Sequence, residues 1–252
     1  FRSAQRMRLE EAFKAFKEEG DHAAFDAWSA RCAEDVHHFA TFEAISERHG
    51  FDFRTWPTAL QSPGSAAIKA AGTRARFHLW LQWHSDTQID AAHRQARDAG
   101  MSLGLYLDLA VGPRPDGAEV WMNNDTIARG VTIGAPPDHP SPEGQSWALA
   151  AHAPGRLAAA AYTPLRSMLQ TLMAKCGLLR IDHALGLLRS FWIPDDGSPG
   201  GYITQPLESL LAVITIEAHR AGCVVIGEDL GLVPDGFRSA MNEAGLYSYA
   251  VW

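Results

Sequence analysis

Three short, almost purely apolar runs, each reached through a helical pattern and each closing on a carboxylate, restrict what this chain can fold into. They are residues 103–109 (LGLYLDL), 178–182 (LLRID) and 223–228 (CVVIGE), which end at or beside Asp108, Asp182 and Glu228. Runs of this length with little polar alternation suit parallel strands covered by helices. A doubly wound nucleotide-binding sheet would show the same helix–strand rhythm, but no G-x-G-x-x-G follows a strand and there is no P-loop sequence. The acids decide between the two. In a (β/α)8 barrel the C-terminal ends of several strands converge on one site, and three acids at three strand ends suit that arrangement best. The expected fold class is α/β, a partial (β/α)8 TIM barrel.

The rest of the chain is read around those runs. Residues 2–19 and 21–49 are charged and helix-favouring, with Asp21 placed to cap a helix start and Gly50 a helix end. Pro57 interrupts the pattern, and a long amphipathic helix is expected from about 73 to 99, closed by Gly100. Phe77, Trp80 and Trp83 recur on it at helical spacing, as a core-facing stripe does. Residues 111–162 are dense in Pro, Gly, Asp and Asn and read as a long functional loop. Helices near 164–175, 206–221 and 235–243 precede strands at 178–182, 223–227 and 246–251. This divides the chain into a helical insertion subdomain, 1–72, and a partial catalytic barrel, 73–252, with its substrate loop at about 111–162. The chain opens at Phe1 and closes on GLYSYAVW, which reads as strand interior. A fragment truncated after about the sixth barrel strand is therefore expected, with an open edge inviting self-association.

Charge in a buried sheet is costly unless it serves a purpose. Arg180 and Asp182 are two residues apart, so both side chains project from one face of their strand. A guanidinium beside a carboxylate favours its ionised form, the form a nucleophile needs. Glu228 follows a dry strand, where burial and a neighbouring like charge favour the protonated form of a general acid. Two such carboxylates divide the work of retaining glycoside cleavage: one attacks the anomeric carbon, the other protonates the leaving oxygen and then acts as base. As alternatives, Arg-x-Asp is also a structural ion pair, and Glu228-Asp229 a helix cap. Tyr106 is read as barrel packing.

Long segments carry a resemblance. RIDHALGLLRSFWIP and VIGEDLGLVPDGFRSAM resemble the two catalytic segments of the 4-α-glucanotransferase family, also called amylomaltase or disproportionating enzyme, within the α-amylase clan. LQWHSDTQIDAAHRQARDAGMSLGLYLDLAVG is similar to the helix and third barrel strand of that family, and GAEVW with GAPPDHPSPEGQSW to its substrate loop. The resemblance covers roughly 75–252 and is weaker in the N-terminal helices. It implies Asp182 as nucleophile, Glu228 as acid/base, and Arg180 and His183 as contacts to the reacting glucose. Asp108 becomes a substrate-contacting acid, and Asp138, Gln145 and Trp147 fall in the donor and acceptor loop. The implied activity is retaining transfer of α-1,4-glucan segments between maltooligosaccharides. A retaining α-glucan hydrolase and a non-catalytic glucan-binding fragment are the alternatives.

Composition limits the partners. A net charge of −7 argues against nucleic acid or an anionic membrane, both of which select basic surfaces. No run is long enough to span a bilayer, and no stretch reads as a signal peptide. Cys32, Cys176 and Cys223 are odd in number and far apart, which implies buried thiols in a reducing cytoplasm rather than a disulfide framework. The expected partner is a maltooligosaccharide or α-1,4-glucan. Neither a cofactor nor a metal is expected, since His183 has no second ligand at a suitable spacing.

Overall fold

The computed structural model describes residues 2–137, 139 and 141–249. It divides into two compact units, one of Phe1–Ile89 with Asp116–Asn124, the other of Asp90–Pro115 with Asp125–Trp252. The division by compactness falls within a helix, at Ile89, and assigns 116–124 to the first unit.

The first unit is helical. It holds α1 (Arg2–Glu19), α2 (His22–Ser29), α3 (Glu34–His49), α4 (Ser65–Ala71), residues 74–89 of α5 (Arg74–Asp98), and α6 (Ala118–Met122). Asp21 caps α2 by accepting from the Ala24 amide at 3.0 Å. Gly50 ends α3 at φ 84°, a conformation that disfavours a side chain, and its amide reaches the Ser46 carbonyl at 2.9 Å. The aromatic stripe lies where the sequence puts it: Phe77 and Trp80 are buried with Phe13 and Phe25, and Trp83 packs against them. The Phe13 ring stands edge-on to Phe77 at 5.4 Å, the geometry that ring quadrupoles favour.

A second cluster in this unit gathers Phe42, Trp56 and Trp121. Trp121 is fully buried, and its indole N–H donates to the Leu60 carbonyl at 2.8 Å. Trp121→Ala would remove both the packing and that partner. It should destabilise the unit by about 3–5 kcal/mol in denaturant unfolding, the usual cost of truncating a buried aromatic. A loss below about 1 kcal/mol would mean the site collapses around the smaller side chain.

The second unit alternates strand and helix. In chain order it holds β1 (Tyr106–Leu109), β2 (Val131–Ala135), β3 (Gln145–Leu149), α7 (Pro154–Ala159), α8 (Thr163–Met173), β4 (Leu178–Ile181), β5 (Arg189–Pro194), β6 (Gly201–Thr204), α9 (Leu207–Ala221), β7 (Val224–Gly227), α10 (Phe237–Glu243) and β8 (Tyr247–Ser248). One sheet is parallel, in the order β1-β4-β7-β8. Leu109, Leu179, Ile181 and Val225 are buried on one of its faces, in a core with Leu169 and Met173 of α8, Leu211 and Ile214 of α9, and Phe237 and Met241 of α10. Strand alternation then sends Tyr106, Asp108 and Arg180 to the opposite face. Asp108 and Arg180 are register partners there.

The other sheet is antiparallel, in the order β3-β2-β5-β6. It corrects the reading of 111–162 as a loop, since that stretch contains α6, β2, β3 and α7. The strands are five residues long and bounded by turn formers such as Gly130, Pro136 and Gly144. They are only partly buried, so their apolar alternation is too brief to stand out from the Pro/Gly background. The last strand spans Tyr247–Ser248 rather than 246–251, and 250–252 lie outside the described residues.

Candidate active site

The parallel ladder continues one residue past β4 and β7 and delivers the acids. The Asp182 amide donates to the Leu109 carbonyl at 3.0 Å and the Glu228 amide to the Ile181 carbonyl at 2.9 Å. Both carboxylates therefore stand just beyond the C-terminal ends of neighbouring strands. Gly227 lets the chain pass closely before Glu228: a Cβ there would meet Met241 Sδ at 2.8 Å and Ala184 Cβ at 3.0 Å, so a side chain would force Met241 to shift.

Arg180 organises the first group. Its Nη1 donates to both oxygens of Asp108, at 2.8 and 2.7 Å, and its Nη2 donates to Asp182 Oδ1 at 2.5 Å. One guanidinium therefore bridges acids from two adjacent strands, which a planar fork of donors does well. Asp108, its strongest partner, holds the Arg180 pKa above the ordinary arginine range, so it is a permanent cation.

His183 joins the second group to the first. Its backbone adopts the left-handed conformation, φ 49° and ψ 55°, sparsely populated for a residue with a side chain and typical of functional turns. The turn aims its amide at Glu228 Oε2, 2.7 Å away, while the Ala184 amide reaches the Glu228 carbonyl at 2.8 Å. Glu228 is thus held by the residue that follows Asp182. Burial lowers the His183 pKa and outweighs the opposing pull of Glu228 and Asp182, so the imidazole is neutral at pH 7.

The Trp147 ring stands edge-on to the His183 ring at 5.1 Å, and its indole N–H donates to Gln145 Oε1 at 3.2 Å. The structure therefore brings together Asp108, Arg180, Asp182, His183 and Glu228, with Trp147 and Gln145 alongside. Asp138 lies outside the described residues. Among the described residues no group of three or more His, Cys, Asp or Glu side chains is arranged to hold a metal ion, and no helix is long and apolar enough to cross a membrane.

Three residues escaped the sequence reading or were misread. Tyr106 is 47% exposed rather than packed, and its hydroxyl lies 3.3 Å from that of Tyr249. The Tyr249 ring in turn lies 5.8 Å from the Arg180 guanidinium. Asp229 is fully buried; it accepts from Arg238 Nε at 2.5 Å and from the Tyr249 amide at 3.0 Å. Burial alone would raise its pKa, but the Arg238 bond and the Tyr249 amide outweigh that and lower it. The signal for Asp229 was its place in the Glu228-Asp229 pair, which the helix-cap alternative absorbed. Arg238 does come from the following helix, but the amide that Asp229 holds belongs to Tyr249, just after β8.

Comparison with known proteins supplies context for this geometry. A family profile described as 4-alpha-glucanotransferase matches residues 1–252. The 4-alpha-glucanotransferase of Mycobacterium tuberculosis (strain H37Rv) is 38% identical over 255 residues, covering 99% of this chain and 35% of the relative. The crystal structure of amylomaltase from Corynebacterium glutamicum superposes with a TM-score of 0.81 at 34% identity, over 98% of this chain and 34% of that one. Amylomaltase from Streptococcus agalactiae, in complex with acarbose, shares the fold with a TM-score of 0.84 at 21% identity, over 98% of this chain and 52% of that one. The chain spans about a third of the length of the first two.

Proposed function

Because this chain belongs to the 4-alpha-glucanotransferase family, we propose that its protein transfers α-1,4-glucan segments between maltooligosaccharides with retention, through a covalent glycosyl–Asp182 intermediate. One observation carries the reading: Arg180 couples Asp108 to Asp182 while the next residue's amide holds Glu228. Asp182, fixed and faced by a permanent cation, attacks the anomeric carbon, and its new ester replaces the glycosidic bond. Glu228 gives its proton to the departing oxygen, then removes one from the incoming 4-hydroxyl as the ester breaks. Arg180 and neutral His183 contact the reacting glucose, Asp108 the substrate from the neighbouring strand, and Trp147 offers an indole face to a sugar ring, with Gln145 and Asp138 beside it. Hydrolysis would use the same two carboxylates, and family membership favours transfer.

We read the sheet β1-β4-β7-β8 as an arc of a (β/α)8 barrel, with the helical 1–72 region as an insertion. Consecutive parallel order, helices on one face and acids at the C-terminal strand ends support it. The compartment we assign is the cytoplasm, on the strength of three free thiols.

The test is to trap the intermediate. In the natural full-length enzyme, Glu228→Gln should let a donor with a good leaving group glycosylate Asp182 while slowing release. Intact-mass spectrometry should show a glycosyl adduct that maps to Asp182 and disappears in the Asp182→Asn, Glu228→Gln double variant. An adduct that survives in the double variant rules Asp182 out as nucleophile.

A further inference from the structure

Two thiols lie outside the chemistry described above. Cys223 directly precedes β7 and Cys176 lies two residues before β4, so both sit at the strand ends opposite Asp182 and Glu228. The strands are register neighbours, and the Val224 amide donates to the Gly177 carbonyl at 2.9 Å, which ties the two cysteine-bearing segments together. The two sulfurs are 3.8 Å apart, and both residues are buried, at 4% and 7% exposure. Strands about 4.8 Å apart, with a rise of about 3.3 Å per residue, put the two Cα atoms roughly 6 Å apart. A disulfide accepts Cα separations of about 4.4–6.8 Å, so closure needs side-chain rotation and little backbone movement.

We propose that Cys176 and Cys223 are an oxidation site: a dithiol that closes to an intramolecular disulfide by exchange with a small-molecule disulfide such as glutathione disulfide. The 3.8 Å contact lets one sulfur, once ionised, accept a hydrogen bond from the other, which favours a single thiolate shared by the pair. That thiolate bonds to one sulfur of the reagent, the reagent's S–S bond breaks, and one thiolate leaves. The other cysteine then loses its proton and attacks the first cysteine's sulfur, and the second reagent thiolate leaves. The protein gives up two electrons and two protons, and the reagent becomes two thiols. The product joins the N-terminal ends of the two strands whose other ends carry the candidate acids. Burial makes the reaction depend on local opening, so it is slow.

The experiment exposes the natural full-length protein to glutathione disulfide, then alkylates remaining thiols and maps the peptides by mass spectrometry. The expected result is a Cys176–Cys223 cross-linked peptide, a loss of two hydrogens, a complete loss of alkylation at both positions and a higher unfolding temperature. Reduction should reverse all of these. In Cys223→Ser the first step has no resolving partner, so a glutathione adduct should accumulate on Cys176. If that variant does not fold, the wild-type peptide map decides alone. The proposal is overturned if Cys176 and Cys223 stay alkylatable while half-buried Cys32 is modified, or if either forms a stable adduct in the wild-type protein.

Discussion

Asp182→Asn in the natural full-length enzyme should lower maltotriose disproportionation by roughly 10⁴-fold or more, the scale on which removing one member of a concerted site acts. The amide keeps the shape of the carboxylate and an oxygen for Arg180 Nη2, which now lies 2.5 Å from Asp182 Oδ1. What it loses is the negative charge and the lone pair that form the ester. The fold should survive, because Asp182 stands at the rim of the sheet and its amide still bonds Leu109. Thermal unfolding and product formation, measured on one preparation, separate the two effects. Activity within about tenfold of wild type would remove Asp182 from the chemistry.

Arg180→Lys should cost about 10²-fold in kcat/KM, the penalty of a small misplacement of a reacting group. The substitution keeps one positive charge, so a purely electrostatic role would predict little change. The geometry predicts otherwise. Arg180 holds Asp108 through Nη1 and Asp182 through Nη2 at once, and a lysine ammonium is a single point that cannot reproduce the fork. Asp182 then loses its fixed position, because the same single charge can no longer face both acids at once. Stability should change little, since Asp108 is exposed and ion pairs open to solvent contribute about 0–1 kcal/mol. Wild-type kcat/KM in Arg180→Lys would reduce the bridge to a surface ion pair.

The sequence by itself determined the parallel sheet and most of the candidate site. Short apolar runs with helices between them leave few alternatives, and the acids at their ends project where strand alternation sends them, so Asp108, Asp182 and Glu228 were legible from local pattern. The same holds for Asp21, Gly50 and the Phe77/Trp80/Trp83 stripe, because caps and helical periodicity are local properties of the chain. Four things needed the tertiary structure. Two strands of the antiparallel sheet, β2 and β3, were hidden in 111–162 because they are short, partly buried and stabilised by partners distant in sequence, such as β5 beside β2. The left-handed turn at His183 that ties Glu228 to the residue after Asp182 joins positions 45 apart in the chain. Asp229 meets the Tyr249 amide across 20 residues. Cys176 and Cys223, read as unrelated buried thiols, meet across 47. Periodicity carries information about which face a residue takes, over one or two turns of chain. Which distant residue stands opposite is set by strand register and packing, and that register is settled only when the strands pair.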